Sequence, residues 1–212
     1  SHTGAMAAED AVYNAAFQRA GIARVLDIGE IFGCADLIGR KKVSSGPRLG
    51  ILTNAGGPGV MATDALIASS GILAKLSDET IGQLNGNLPA FWSHRNPVDV
   101  LGDASSKRIS KAVEILLKDP GVDAVLVIIT PQAMTNPTSI AKAISQLNET
   151  TSKPILAAWL GGESMREGIR ILNEAGIPSY TTPEQAVRAF MTLVSYSRNL
   201  EILFQTPKDV PV

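Results

Sequence analysis

The chain has 212 residues, 45% of them hydrophobic and 18% charged, which is enough apolar material for one sizeable packed domain, or for one domain and part of another. Its formal net charge is -1 and it has no cluster of Lys and Arg interleaved with aromatic residues, so nucleic acid is a poor candidate partner. The apolar runs are far shorter than the roughly 20 residues of a membrane-spanning helix, and no signal peptide is recognised, so we expect a soluble protein. The single Cys34 excludes an internal disulfide, which agrees with a cytoplasmic protein.

Residues 1–45 are predicted to contain a helix, a short strand and a second helix. AEDAVYNAAFQRAG (8–21) has apolar residues at helical spacing, IARVL (22–26) is typical of a strand, and IGEIFGCADLIG (28–39) is helical again. One strand between two helices cannot bury both faces of its own sheet. We therefore predict that residues 1–45 are the C-terminal remnant of another α/β domain, packed on the domain that follows or on a second copy of the chain.

The stretch KKVSSGPRLG interrupts the helical pattern with charge, Ser, Gly and Pro, which places a boundary near Gly46. Strand patterns and helix patterns then alternate regularly. The predicted strands are 48–54, 72–76, 123–130, 154–160 and 178–182. The predicted helices are 58–71 with Gly71 as its stop, 78–88 with Ser77 as its cap, 106–118, 138–149, 164–175 and a long helix from Pro183. Residues 89–105 are irregular.

This alternation predicts a doubly wound α/β fold. Strands joined by helical crossovers run parallel, and the unbroken apolar run 124–129 indicates burial on both faces of the sheet. We predict a flavodoxin-like strand order of 2-1-3-4-5 for a domain at residues 46–198. Residues 199–212 are predicted to be a linker or tail.

Loops at the carboxyl ends of parallel strands are where ligands gather. In this sequence they are rich in Gly, Pro, Asn, Asp, Ser and Thr, and several lead directly into a helix whose exposed amides would suit an anion. The five loops are NAGGPG (54–59), NPVDVLGDAS (96–105), TPQAMTNP (130–137), GGES (161–164) and TTPE (181–184).

NAGGPG is a candidate phosphate-binding turn, because two glycines before Pro58 at a helix start leave backbone amides unobstructed. It matches neither the dinucleotide fingerprint nor the Walker loop, so an ordinary strand-to-helix turn is an equal alternative. TPQAMTNP has the same ambiguity. Thr130 and Pro131 could start an anion-facing helix, or could merely end a strand.

Three other polar features favour structural roles. Asp99 and Asp103 could share acid–base chemistry or Mg²⁺, but loop capping is the more common role of such residues. His94 beside Trp92 is expected to pack, because no second histidine has a spacing suited to a metal. Cys34 lies on an apolar helix face and is expected to be buried.

Several segments together resemble one known family: SHTGAMAAEDAVYNAAFQRAGIARV, LTNAGGPGVMATDAL, RNPVDVLGDAS, DPGVDAVLVIITPQAMTNP and GGES followed by EAGIPSYTTPEQAVRAF. The chain is similar to the NDP-forming acyl-CoA synthetases, also called ADP-forming acetate–CoA ligases, of the succinyl-CoA synthetase superfamily. The resemblance extends over essentially the whole chain, in the same order and spacing.

The resemblance implies a reversible reaction in which acyl-CoA and phosphate give an acyl phosphate, which phosphorylates a histidine that in turn phosphorylates ADP. SHTGAMAA is close to the family's S-H-T-G-A-L-A-G, with Met6 and Ala8 as departures, so His2 matches the phosphoryl carrier. A Ser-His start is also common in the remnant of a cleaved affinity tag. The continuity of the resemblance into the next helix favours native sequence.

The resemblance, together with the need of a phosphohistidine for pre-oriented donors, gives the candidate site residues, with no metal site among them. Either the loop at 54–59 or the loop at 130–133 is expected to supply the helix that faces the phosphate. The catalytic residue is His2. Residues expected to bind phosphate or the phosphohistidine are Asn54, Gly56, Gly57, Gly59, Thr130, Pro131, Gln132 and Ala133. Supporting loop residues are Asn96, Asp99, Gly102, Gly161 and Gly162.

The family uses CoA and ATP or ADP with Mg²⁺, which would bind mostly outside this chain. A CoA-binding domain and an ATP-grasp domain would then lie in the same polypeptide or in a partner subunit, in a homo-oligomer. We weighed two alternatives: an acyl-CoA-sensing region of a protein-lysine acetyltransferase, and a flavodoxin-like module that binds a flavin or has no catalytic role.

Overall fold

The computed structural model describes residues 10–25, 28–39 and 42–204, without the side chains of residues 29, 30, 32, 33 and 36. His2 lies outside the described residues. The helices are α1 (Asp10–Arg19), α2 (Ile28–Gly39), α3 (Gly56–Ala68), α4 (Asp78–Asn87), α5 (Ser106–Lys118), α6 (Pro137–Thr150), α7 (Arg166–Glu174) and α8 (Pro183–Phe204). The strands are β1 (Arg48–Thr53), β2 (Ile72–Leu73), β3 (Val98–Asp99), β4 (Ala124–Ile129), β5 (Ile155–Trp159) and β6 (Ser179–Tyr180). Across this described part of the chain, no helix is both long and apolar enough to cross a membrane.

The strands form one parallel sheet in the order β2-β1-β4-β5-β6, and β3 pairs with β1 beyond the end of β2. The five strands predicted from the sequence thus follow the predicted order 2-1-3-4-5, and the flavodoxin-like fold is confirmed. Residues Val98–Asp99 form an additional strand inside the segment that we expected to be irregular.

The sheet is covered on both faces because its central strands are apolar throughout. Every residue of β4 is buried. Val125, Val127 and Ile129 point into a core with α4, α5, α6 and α7, whereas Leu126 and Ile128 point into a second core with α2, α3 and α8. Successive side chains of β4 therefore contribute alternately to the cores on the two faces of the sheet.

Side-chain caps start three of the helices. Ser77 caps α4 as predicted, because its Oγ accepts a hydrogen bond from the Thr80 amide at 3.2 Å. Ser105 caps α5 by accepting from the Arg108 amide at 3.2 Å, and Asn136 caps α6 by accepting from the Ser139 amide at 2.9 Å.

Helix α3 ends at Ala68, three residues before the predicted stop. Ser70, with φ of 60°, takes the left-handed conformation just before Gly71. A Cβ on Gly71 would overlap the side chains of Leu66 and Met191. This glycine is therefore required for close packing between α3 and α8.

The two ends of the chain differ from the sequence prediction. Residues 22–25 form no strand, although IARVL has a strand-like composition, and they have no neighbouring strand to pair with in the structure. Residues 199–204 were expected to belong to a tail, yet they continue α8, and Asn199 is 6% exposed.

The N-terminal helices pack on the same domain that follows them. Cys34 and Leu37 of α2 are each 3% exposed and share a core with Leu193 of α8.

A buried charged network lies at the amino edge of the sheet. The carboxylate of Asp123, only 1% exposed, accepts hydrogen bonds from the Arg48 amide at 2.8 Å, from the Arg48 guanidinium at 2.9 and 2.6 Å, and from Ser45 Oγ at 3.0 Å. Asp119 beside it accepts from the Ser77 and Gly121 amides at 2.9 and 2.6 Å. These bonds tie the linker before β1 to the start of β4.

Candidate functional site

The first turn of α3 presents open backbone amides at the carboxyl edge of the sheet. Ala55 precedes the helix without a side-chain cap, and no acidic residue lies in the first turn. Gly57 is exposed and has no atom within 4 Å of the position of a Cβ. Gly59 has a packing role, since a Cβ there would lie 3.1 Å from Thr53 Cγ2 and 3.5 Å from the Pro97 ring.

Asn54 holds the end of β1 against the end of β4. Its Oδ1 accepts a hydrogen bond from the Thr130 amide at 2.8 Å, and its Nδ2 donates to the Thr130 carbonyl at 2.9 Å and to Thr135 Oγ1 at 3.3 Å. Because both ends of the amide are engaged and the residue is 3% exposed, the side chain positions the loops.

Asn96 fills the fork where β2 ends and β3 begins. Its Oδ1 accepts from the Ile51 amide at 2.9 Å, and its Nδ2 donates to the carbonyls of Leu49 and Ala74 at 2.9 and 3.0 Å. The side chain replaces the backbone partners that β1 lacks at this point. Asn96 is joined to Pro97 by a cis peptide bond.

Asp99 ends β3 beside the first turn of α3. Its Oδ1 accepts from the Leu101 amide at 2.9 Å, which closes an Asx turn, and its own amide donates to Ser93 Oγ at 3.0 Å. Its Oδ2 lies 3.4 Å from the position that a Cβ of Gly56 would occupy. The carboxylate is therefore fixed in direction, with one oxygen facing the helix start.

Asp103 does not join Asp99 in a shared site. It forms an ion pair with Arg108, at 2.6 Å between the Oδ1 and NH1 atoms. Within the described ranges, no group of three or more His, Cys, Asp or Glu residues could hold a metal ion. Loop capping, the role that we favoured for both carboxylates, agrees with the contact of Asp99 to the Leu101 amide, whereas Asp103 makes an ion pair.

Residues 130–133 do not start a helix. Helix α6 begins at Pro137, after a turn at 133–134 and the cap at Asn136, so of the two alternatives for Thr130 and Pro131 the structure shows the end of a strand. The loop instead contacts its neighbours: Gln132 lies 3.4 Å from the Cβ position of Gly102, and its Nε2 donates to Thr130 Oγ1 at 3.1 Å.

Gly161 brings the loop after β5 against the loop after β4. Its φ is +135°, and a Cβ would lie 2.8 Å from two atoms of the Pro131 ring. Four loops are therefore linked around the start of α3: through Asn54 and Thr130, through Asp99 and Gly56, through Gly102 and Gln132, and through Gly161 and Pro131.

Replacing Gly161 by alanine should lower the free energy of unfolding by about 2 kcal/mol, because the Cβ would combine backbone strain with a clash against a rigid ring. Urea denaturation would measure this. Gly162→Ala is the matched control, since Gly162 also has a positive φ, +65°, but has no atom within 4 Å of its Cβ position. Equal losses in the two variants would contradict the role of the Pro131 contact.

His94 packs as predicted. Its ring lies 4.8 Å from the Trp92 ring, its Nδ1 is 2.9 Å from Asn85 Oδ1, and its Nε2 is 2.9 Å from the Ala90 carbonyl. Both ring nitrogens therefore already have partners within the protein.

The charges of the loops are sparse. The five loops 54–59, 96–105, 130–137, 161–164 and 181–184 contain no Lys or Arg, and their carboxylates are Asp99, Asp103, Glu163 and Glu184. Three shifted pKa values lie at the amino edge: burial lowers the pKa of Lys153, whereas burial acts to raise the pKa of Asp119 and Asp123 but hydrogen bonds outweigh it and hold both below their ordinary value. An anion at the α3 edge would have to be bound by backbone amides.

Sequence reasoning missed three residues that shape this edge. Thr135, Ser93 and Leu101 bind or orient Asn54 and Asp99 through single hydrogen bonds. Leu101 has a φ of +68°, a conformation that leucine rarely adopts and that the sequence therefore does not indicate. An Asx-turn signal at Asp99 was the only available hint.

A doubly wound parallel sheet with small and polar loop residues gathered at its carboxyl edge defines an α/β module of the flavodoxin type, a fold in which ligands bind at that edge. Comparison with known proteins places it more narrowly. Residues 49–203 match the family model described as Ligase-CoA domain, and residues 1–38 match the model of the succinyl-CoA ligase like flavodoxin domain. The chain belongs to the Ligase-CoA domain family, and the resemblance inferred from the sequence is confirmed.

The relatives are CoA ligases. The chain is 41% identical to acetate–CoA ligase [ADP-forming] I of Archaeoglobus fulgidus, over 93% of this chain and 28% of the relative. It is 36% identical to the alpha subunit of acetate–CoA ligase [ADP-forming] I of Pyrococcus furiosus, over 93% of this chain and 43% of that subunit. It thus spans less than half the length of these relatives.

A solved structure has the same fold. The acetyl-coenzyme A synthetase 1 of Ca. Korarchaeum cryptofilum, in complex with phosphate and ADP, superposes with a TM-score of 0.86 at 32% sequence identity. The match covers 95% of this chain and 44% of that chain.

Proposed function

We propose that this chain is part of an ADP-forming acyl-CoA synthetase, an acid–thiol ligase, and that it receives a phosphohistidine at the start of α3. The whole reaction interconverts acyl-CoA, ADP and phosphate with a carboxylic acid, CoA and ATP. The names of the relatives support the reaction class, and they favour it over an acetyltransferase-linked sensor or a flavin module.

The observation that carries the site is the uncapped first turn of α3, placed among four linked loops. A phosphoryl group on an imidazole nitrogen carries about two negative charges and must be shielded from hydrolysis. Backbone amides at Gly56 and Gly57 would bind it without supplying a competing nucleophile. The links through Asn54 and Gly161 would hold these amides in fixed positions.

We propose that Thr130, Pro131, Gln132 and Ala133 form the opposite wall of this cradle, with Asn96, Gly102 and Gly162 supporting it. They contribute as a loop, since no helix starts there. The backbone of Thr130 is already bound by Asn54, which leaves Pro131, Gln132 and Ala133 as the part of the wall that faces a ligand.

We also propose a division of the chain into domains. Residues 1–45 would be the C-terminal end of a preceding flavodoxin-like domain that carries His2. Residues 46–204 would form the ligase domain, extended to Phe204 because α8 continues to that residue. The two family matches end at residue 38 and begin at residue 49, which supports a boundary near Gly46.

The complete enzyme would require CoA-binding and ATP-grasp domains, in the same polypeptide or in a partner subunit, and would use CoA, ATP or ADP and Mg²⁺. We propose that it works in the cytoplasm as a homo-oligomer. The relatives support the need for further domains, since some are single long chains and others are named as subunits.

His2→Ala in the full-length protein should abolish phosphorylation of this region by ATP and Mg²⁺. Wild-type protein should gain one phosphate on His2, mapped by mass spectrometry under alkaline conditions, and should lose it on addition of ADP. His94→Ala is the matched control and should be phosphorylated like the wild type. Nucleotide-bound wild-type protein without phosphate on His2 would refute the proposal.

A further inference from the structure

A cavity of about 620 Å³ lies at the amino edge of the sheet, away from the loops that form the candidate site. It is lined by Gln18 of α1, by the linker 44–47 that leads into β1, by Ser70 before β2 and by the second half of α8. This volume is within the usual range for small-molecule sites, which occur preferentially where two parts of a fold meet. The cavity therefore has the size and the position of a ligand site.

Asn199 has an unusual environment for a buried polar residue. It lines the cavity and is only 6% exposed, yet its amide group forms no hydrogen bond with any other residue that the structure describes. Buried amide groups are nearly always hydrogen-bonded, to the protein or to a bound molecule. The donor and the acceptor of this side chain are therefore available to a molecule in the cavity.

Arg198 brings a positive charge to the same cavity. Within the described part of the chain it has no ion pair, although Glu201, less than one turn further along α8, also lines the cavity. A guanidinium group binds a carboxylate through two parallel hydrogen bonds. A doubly charged phosphate is a poorer match, because the Glu201 carboxylate would repel it more strongly.

The remaining walls leave room for an apolar group. The hydroxyl of Ser45 is already bound to Asp123 at 3.0 Å, and that of Ser44 is bound within the linker at 2.7 Å. Met191 and Val194 of α8 contribute apolar surface. The cavity thus combines one unpaired cation and one free amide with a hydrocarbon wall.

We propose that this cavity binds a short-chain carboxylate. Its carboxyl group pairs with Arg198 and accepts a hydrogen bond from the Asn199 amide, and its hydrocarbon chain packs against Met191 and Val194. Bound there, the carboxylate would contact α8 and lie between α1 and the linker 44–47, and it would stabilise the packing of the N-terminal helices. A carboxylic acid is a reactant of the proposed reaction, so the site would respond to its concentration, and this last step alone rests on the proposed function.

Photolabelling of the full-length protein tests the site directly. Irradiation with a diazirine-bearing pentanoate should label α8 and the linker 44–47, as mapped by mass spectrometry, and excess pentanoate should prevent the labelling. Arg198→Gln should raise the probe concentration for half-maximal labelling about 10- to 100-fold, as expected for the loss of a charged hydrogen bond. Arg170→Gln is the matched control and should be labelled like the wild type, because Arg170 lies on α7 and pairs with Glu167 and Glu174.

Asn199→Leu separates binding from folding, because leucine has a similar volume but cannot form a hydrogen bond. The variant should unfold at the same urea concentration as the wild type or at a higher one, while its labelling weakens. Asn148→Leu is the contrasting variant and should be less stable, since the Asn148 side chain donates to the Ala175 carbonyl at 3.0 Å and accepts from Lys42 at 2.6 Å. Equal losses of stability in the two variants would contradict a free amide at Asn199.

Three further results would overturn the inference: no label on α8 or the linker, labelling that excess pentanoate does not prevent, and equal labelling of the wild type and Arg198→Gln. Protection by inorganic phosphate or AMP at lower concentrations than pentanoate would assign the cavity to a phosphate group and overturn the carboxylate assignment. Phosphorylation of His2 in the same preparation is an independent readout. Its absence would refute the proposed function and leave the labelling result unchanged.

Discussion

Replacing Asp123 by alanine should lower the free energy of unfolding by about 3 kcal/mol. This is the lower end of the range for breaking a buried ion pair, chosen because the Arg48 side chain is 43% exposed and can regain water. The loss also removes the acceptor of the Arg48 amide and of Ser45 Oγ. Urea denaturation of wild-type and variant chains at pH 7 would measure the difference.

The contribution of Asp123 should depend on pH in one direction. Burial acts to raise the pKa of this carboxyl, but hydrogen bonds from Arg48 and Ser45 outweigh it, so the pKa in the folded protein lies below its ordinary value. A lowered folded pKa means that stabilisation is complete above the unfolded pKa of about 3.9, and is lost as pH falls through the folded pKa. The difference between wild type and variant should therefore shrink below about pH 4.

Asp103→Ala is the control for this prediction. Asp103 also pairs with an arginine, but its side chain is 59% exposed, so its removal should cost less than about 1 kcal/mol. Similar losses for the two aspartates at pH 7 would show that burial of Asp123 does not add to its effect.

Replacing Asn96 by alanine should also cost about 3 kcal/mol. The Ile51 amide and the Ala74 carbonyl would each lose the Asn96 partner, at roughly 1–3 kcal/mol for each buried group. The Leu49 carbonyl would keep a partner, since it also accepts from the Ala74 amide at 3.0 Å. The sheet would open at the fork between β2 and β3.

Hydrogen exchange gives a local test of the same residue. The Ile51 amide should be protected in the wild type and should exchange faster in Asn96→Ala than the amides of β1 that pair with β4. Asn87→Ala is the matched control, because the Asn87 side chain makes one exposed bond, to the Gln83 carbonyl at 2.7 Å. If Asn96→Ala kept both its stability and the protection of Ile51, the side chain would not be needed at the fork.

The order of strands was predictable because it depends on patterns that cover many residues. Local sequence signals mark the individual elements: the apolar run of β4, the capping residue Ser77 and the start of α5 at Ser106. The parallel sheet then follows because helices connect successive strands. The strand Val98–Asp99 was missed. It pairs with β1 over two residues inside a segment that we expected to be irregular, whereas β2 and β6, equally short, lie within the predicted strands 72–76 and 178–182.

The sequence indicated which loops form the candidate site, but it did not indicate which residues of those loops contact one another. Gly56 and Gly57 could be assigned to an open turn because glycine has few other reasons to be paired at a helix start. Asn54 could not be assigned, since an asparagine that clamps Thr130 and one that binds a ligand look alike in the sequence. Only the fold brings Thr130 to the end of β1.

The packing of α2 on α8 places residues from outside the Ligase-CoA match in the core of the domain. Helix α8 has 22 residues, a length of about 33 Å, and it contacts both α3 and the N-terminal helices. A shortened protein starting at Gly46 would keep the whole Ligase-CoA match and yet lose Cys34 and Leu37 from one of the two cores. One of the two cores therefore extends beyond the residues that match the Ligase-CoA model.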